Sequence, residues 1–196
     1  MHKTISNLVS IENELKSGSE NDLTTKIIAV TKTFSISEIK PLINHGHLHF
    51  GENKVQEALE KWTEPKNEFK GIKLHMIGKL QTNKVKFVIP LFDYIHSLDN
   101  LRLAQKISTE QKKLNKKLKI FIQVNIGNED QKSGINQNEV ISFYQKCIDD
   151  FNLDIIGLMC IPPFKERKNE YFSLMNDLNK SICLLYTSPS PRDLDL

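Results

Sequence analysis

The chain has 196 residues, 39% of them hydrophobic and 26% charged, with a formal net charge of +3, the composition of a globular chain of one domain with room for a real core. No stretch approaches the roughly 20 apolar residues of a spanning helix, and the polar start over residues 1–26 lacks the apolar centre of a secretory signal, so a soluble cytoplasmic protein with no membrane contact is expected. Cys147, Cys160 and Cys183 are odd in number and form no CxxC pair, which argues for reduced, buried thiols and against a disulfide framework or zinc site.

In chain order, Ile5, Leu8, Val9 and Leu15 place an apolar stripe on a first helix that Gly18 and Ser19 end. The run Ile27 to Lys32 follows, read as a strand buried on both faces. Ser35 with Glu38 forms a capping box for a helix bearing Ile39, Leu42 and Ile43, in which Pro41 is the weak point. Strands are expected over His47–Gly51, Leu74–Ile77, Tyr94–Ser97, Leu118–Ile126 and Ile155–Cys160. Helices are expected between them, opened by Asn53 and by Asp99 or Asn100, with Pro90 closing the one that carries Val85 and Val88. Lys112, Lys113, Lys116 and Lys117 form a basic run without interleaved aromatics, a solvated face; no nucleic-acid partner is expected.

Six strand-then-helix units in succession imply parallel strands with right-handed crossovers, in either an open doubly wound sheet or a (β/α)8 barrel. Neither GxGxxG nor GxxxxGK[ST] occurs, so the barrel of the TIM type is preferred, with about six of its eight β/α units present. The stretch Leu184 to Leu196 has no periodicity and reads as a disordered, non-native tail, its Tyr186-Thr187-Ser188-Pro189-Ser190-Pro191-Arg192-Asp193 resembling translated adapter sequence fused to a shortened reading frame.

Ligands of parallel α/β sheets sit where strands end, which makes Lys32 the first candidate for chemistry. A lysine amine becomes a nucleophile towards carbonyl groups when its surroundings lower its pKa; the ordinary alternative is a solvated side chain, since the chain has 24 lysines (27 Lys+Arg less 3 Arg). His45, His47 and His49 suggest a metal site by spacing alone, but no further ligand is visible and solvated histidines are the better reading.

The motifs Ala29-Val30-Thr31-Lys32, Phe50-Gly51-Glu52-Asn53-Lys54-Val55-Gln56-Glu57, His75-Met76-Ile77-Gly78-Lys79-Leu80-Gln81-Thr82-Asn83-Lys84, Gln123-Val124-Asn125, Lys132-Ser133-Gly134 and Gly157-Leu158-Met159-Cys160-Ile161-Pro162-Pro163 occur in that order. Together they resemble the pyridoxal phosphate homeostasis protein family, itself similar to the N-terminal barrel of alanine racemase, over about residues 5–182. The resemblance implies an incomplete pyridoxal-phosphate-binding barrel over 1–183, followed by the tail at 184–196. It implies that Lys32 holds the cofactor as an aldimine and that Asn53 faces it. His75, Asn125 and Met159, at or near strand mouths, could line the same pocket, although plain packing is the better reading for Met159. Gly78 and Gly134 are read as backbone turns.

The family pattern continues through a Ser-Met-Gly-Met-Ser type loop and a Val-Arg-Ile-Gly run that hold the cofactor phosphate, and neither occurs here. Weak non-covalent affinity for a phosphorylated ligand is the consequence. The function implied is intracellular cofactor homeostasis without turnover, with cofactor-requiring apoenzymes as possible recipients. The alternatives are a pyridoxal-phosphate-dependent racemase, which needs a second acid/base from a further domain, and a cofactor-free Schiff-base lyase or aldolase acting through Lys32.

Overall fold

In the computed structural model, which describes residues 2–18, 25–129, 131, 133–163 and 168–187, six strands form one parallel sheet in the order β1-β2-β3-β4-β5-β6. They are β1 (Ala29–Val30), β2 (His49–Glu52), β3 (Lys73–Met76), β4 (Tyr94–Leu98), β5 (Lys119–Val124) and β6 (Asp154–Cys160). The helices are α1 (Lys3–Gly18), α2 (Ile36–Asn44), α3 (Val55–Glu68), α4 (Val85–Leu91), α5 (Leu101–Leu114), α6 (Val140–Asp149) and α7 (Lys168–Thr187). Every crossover leads to the adjacent strand and the order never reverses. That is the progression of a β/α barrel wall; a doubly wound sheet turns back on itself at a switch point. All six strands expected from the sequence are present, and β1 and β6 are the edges.

Local sequence explains most element boundaries. Ser35 opens α2, its amide and hydroxyl both donating to the Glu38 carboxylate, at 2.9 and 2.7 Å. Asn100 is the cap of α5, its side chain accepting from the Leu103 amide at 2.8 Å. Asn115 ends that helix in the left-handed region, φ +46°. The core fills the space between sheet and helices: Phe50, Leu74, Met76, Ile95, Ile120 and Ile122 meet Trp62, Val88, Ile89, Leu103 and Ile107, all fully or almost fully buried. Each such side chain contributes about 1.5–3 kcal/mol on burial, which is what holds the sheet and its helices together.

Several expectations need correction. The run Ile27 to Lys32 is not buried on both faces: only two of its residues pair as β1, Val30 is 47% exposed, and Lys32 is exposed, because among the described residues β1 has a neighbour strand on one side only. Pro90 lies inside α4 and does not end it, whereas Pro41 stands inside α2 as expected. Pro90 stands in the last turn of a seven-residue helix, where little ladder follows it. The cap position of α3 belongs to Lys54, not Asn53. The boundary placed at 184 falls within α7, which continues to Thr187; residues 188–196 lie outside the described residues. Cys147 is buried and Cys160 half-buried, both free; Cys183 lies outside the described side chains.

Candidate functional site

Lys32 is placed by its two neighbours. Val30 is in register with Gly51 of β2, and the Thr31 amide extends the ladder by donating to the Gly51 carbonyl at 2.9 Å. The Thr31 hydroxyl donates to Glu52 Oε1 at 2.7 Å on the helix side of the sheet, beside Trp62. Strand alternation then points Val30 to the opposite, interior face, and Lys32 follows in the turn that leaves the C-terminal end of β1. Among the described residues the Lys32 amine makes no hydrogen bond or ion pair.

Beneath this turn lies a buried polar cluster from β2 and α3. Glu52 is fully buried, its Oε1 accepting from Thr31, from Lys61 Nζ at 3.0 Å and from Trp62 Nε1 at 2.9 Å. Lys61 also donates to the Thr31 carbonyl at 2.7 Å and to Glu57 Oε1 at 2.9 Å. That same Glu57 oxygen accepts from the Thr33 amide at 2.6 Å. The Lys61 ammonium, then the Thr33 amide, hold the Glu57 carboxyl below the usual carboxylate range.

On the interior face, deeper in the wall, three imidazoles form a chain. His49 Nδ1 lies 2.9 Å from His75 Nε2, and His75 Nδ1 lies 2.9 Å from His96 Nε2. Tyr94 stacks on His75 with centroids 4.2 Å apart, and Phe121 on His96 at 4.4 Å. Burial, with His96 and His49 adjacent, pushes His75 down to about 3, and burial alone pushes His96 down to about 4. His49 is lowered too, by burial first and then by Lys26. Among the described residues no group of three His, Cys, Asp or Glu is arranged to hold a metal ion. Of the suggested cluster, His45 is exposed and His47 bonds the His49 carbonyl at 2.8 Å, while His49 is half-buried and belongs to the imidazole chain.

The expected site residues divide in two. Asn53, half-buried just past β2, has a carboxamide with no hydrogen bond among the described residues, and Met159 shares the interior face in register with Gln123. His75 is 3% exposed and both its ring nitrogens are occupied. Asn125 is equally engaged: its carboxamide donates to the Glu129 carbonyl at 2.9 Å and accepts from the Glu129 amide at 3.2 Å, so it pins the loop after β5. Gly78 is required by close approach, since a Cβ there would stand 2.2 Å from the Asn53 carbonyl oxygen. Gly134 combines φ +129° with a Cβ position 2.5 Å from the Asn125 nitrogen. Sequence reasoning passed over Lys61, Glu52, Glu57 and His96. A signal existed for Glu52, a carboxylate at the end of a strand expected to be buried, and for the i,i+4 pair of Glu57 and Lys61.

A groove of about 490 Å³ opens at the other end of the sheet, lined by Leu8, Leu15, Ile27, His45, His47 and Leu48 among others. It faces the start of the strands and contains neither Lys32 nor Asn53. Arg102, on the first turn of α5, lines a surface groove with Thr82 and Asn83. Among the described residues no arginine shares the interior face with Lys32.

Residues 7–182 match the family described as alanine racemase, N-terminal domain. Proteins called pyridoxal phosphate homeostasis protein from Pasteurella multocida and Haemophilus influenzae are 33% and 37% identical over 153 residues, 78% of this chain. The chain spans 66% and 64% of the length of those two relatives. Among solved structures, PipY of Synechococcus elongatus superposes with a TM-score of 0.77 at 27% identity without PLP, and 0.75 at 26% identity with PLP bound. Each comparison covers 89% of this chain and 82% of PipY.

Proposed function

Because the chain belongs to the alanine racemase N-terminal domain family, we propose that it binds pyridoxal phosphate, that Lys32 is the residue holding the cofactor, and that its role is intracellular cofactor homeostasis without turnover. The observation that carries this reading is the amine of Lys32, unpartnered among the described residues, in the turn at the C-terminal end of β1, with the free carboxamide of Asn53 just past the C-terminal end of β2.

The residues fit the aldehyde end of such a cofactor. An aldehyde condenses with an amine with loss of one water, and Lys32 offers an amine that no carboxylate holds. Asn53 supplies donors and an acceptor for the polar ring substituents. The phosphate end is served less well, since no arginine stands on the interior face among the described residues. A racemase would need a second acid/base opposite Lys32, and His75, the titratable group the sequence suggested for the pocket, has both nitrogens committed to other histidines.

The test is incubation with pyridoxal phosphate, borohydride reduction and peptide mass mapping. The adduct is expected on Lys32 and is lost in Lys32→Ala, with no racemisation of amino acids by the unreduced protein. An adduct confined to another lysine would overturn the assignment of Lys32, and racemase turnover would overturn the role.

A further inference from the structure

We propose that Glu57 and Lys61, with Glu52 beneath them, are the positioning residues of Lys32: they hold the backbone on either side of it so that the amine is presented to the interior face. This rests on the cofactor-binding reading above, and it names a function for a buried ionic cluster that reading does not use.

The sheet alone does little to fix residue 32. β1 is two residues long, an edge strand bonded to β2 only, and its ladder ends with the Thr31 amide on the Gly51 carbonyl. Beyond that point the backbone is held by its own turn, the Phe34 amide donating to the Thr31 carbonyl at 3.2 Å and the Thr33 hydroxyl to the Lys32 carbonyl at 2.6 Å, and by α3. The Thr31 carbonyl, which precedes Lys32, accepts from Lys61 at 2.7 Å, and the Thr33 amide, which follows it, donates to Glu57 at 2.6 Å. The Thr31 hydroxyl is tied to Glu52 at 2.7 Å. The α3 cluster thus brackets Lys32 with one charge-assisted bond on each side.

Thr33 shows why a bracket is needed. Its φ is +68°, the left-handed region, which a β-branched residue enters only under compulsion from its surroundings. The Glu57 carboxylate on its amide adds to the local turn the one bond to Thr33 that comes from another element. Relaxing Thr33 to negative φ would swing the peptide that joins it to Lys32. The composition of the cluster points the same way. Lys61 has a side chain 8% exposed and Glu52 one 0% exposed, and a buried ion pair is weak as a device for stability alone, since an apolar set of similar volume does as well. What apolar side chains would not do is bond the two peptide groups flanking Lys32.

The carboxylate oxygen of Glu57 that accepts from Thr33 is the one that accepts from Lys61. A single carbonyl oxygen suffices for both bonds, so Glu57→Gln should preserve the bracket and Glu57→Ala should open it. Glu57 is 27% exposed on its side chain, so its loss leaves Lys61 paired with Glu52 and spares the fold.

The experiment compares the intact chain, Glu57→Ala, Glu57→Gln and the double variant Lys61→Met/Glu52→Gln. It measures the share of borohydride-fixed pyridoxal phosphate carried by Lys32 among all labelled lysines, the Thr33 amide hydrogen exchange without cofactor, and the melting temperature. Expected are a loss of Lys32 selectivity of at least fivefold in Glu57→Ala and in the double variant, and Thr33 exchange at least tenfold faster in Glu57→Ala. Glu57→Gln is expected within twofold of the intact chain in both, with melting of the Glu57 variants within a few degrees of it. Unchanged selectivity and exchange in Glu57→Ala, or failure of Glu57→Gln to restore them, would overturn the proposal. If the intact chain never labels at Lys32, the cofactor reading fails by itself; the exchange comparison still decides whether Glu57 holds residue 33.

Discussion

Nδ1 of His75 lies 2.9 Å from Nε2 of His96, and both rings are buried on the interior face of the sheet. The folded chain therefore keeps the two rings neutral down to about pH 4 for His96 and about 3 for His75, whereas in the unfolded chain they bind protons below about 6.5.

The sign of the pH dependence follows. Below pH 6.5 the unfolded state holds more protons than the folded one, so stability is full above that pH and falls as the pH drops through the window down to about 3. Each ring contributes a slope of up to about 1.4 kcal/mol per pH unit. Denaturant unfolding should show a loss on the order of 3 kcal/mol between pH 7 and pH 5, and His75→Gln, which keeps a donor and an acceptor, should remove about half of that slope. A stability profile flat from pH 7 to 5 would show that these rings are hydrated in solution.

Lys32→Ala should leave the fold nearly untouched. The amine has no protein partner among the described residues and the side chain is exposed, so the change in unfolding free energy should stay within about 0.5 kcal/mol. Loss of the cofactor adduct at unchanged thermal stability separates a binding role from a structural one; a drop of several degrees in melting temperature would speak for the latter.

Gly78→Ala should damage the mouth through the backbone. The added Cβ would stand 2.2 Å from the Asn53 carbonyl oxygen, a backbone atom that no rotamer change can move. A loss of about 2–3 kcal/mol is expected from such overpacking, read as a lower denaturant midpoint. A midpoint equal to that of the unaltered chain would mean that the turn after β3 gives way freely.

The phosphate should contribute little. No arginine among the described residues shares the interior face with Lys32, so pyridoxal and pyridoxal phosphate should label Lys32 at rates within about threefold, or about 0.7 kcal/mol, once each is normalised to its reaction with Nα-acetyl-lysine. A preference of a hundredfold for the phosphorylated form would reveal a phosphate site that these residues do not suggest.

The alternation of apolar runs with amphipathic stretches was enough to give six β/α units and a parallel wall, because each element is specified by side chains three, four or two positions apart. The caps at Ser35 and Asn100 are legible for the same reason: donor and acceptor lie within three residues. Ordered motifs likewise brought out the family. What the sequence could not supply is cross-strand registry and the packing of distant elements. Whether Val30 is buried depends on what lies beside β1, and here nothing among the described residues does. His49, His75 and His96 read as three unrelated histidines until register brings them, 26 and 21 residues apart, into one hydrogen-bonded chain. Asn125 and His75 look free to meet a ligand from their places at strand ends, yet the loop after β5 has used the carboxamide of the one and distant histidines the ring nitrogens of the other. Lys61 looks like one more solvated helix lysine; only the docking of α3 against β1 and β2 buries it and turns its ammonium onto the peptide before Lys32. The physical reason is one of range. Local geometry follows from neighbours along the chain, whereas burial and hydrogen-bond satisfaction are set by groups 20 to 40 residues away that the fold alone brings within 3 Å.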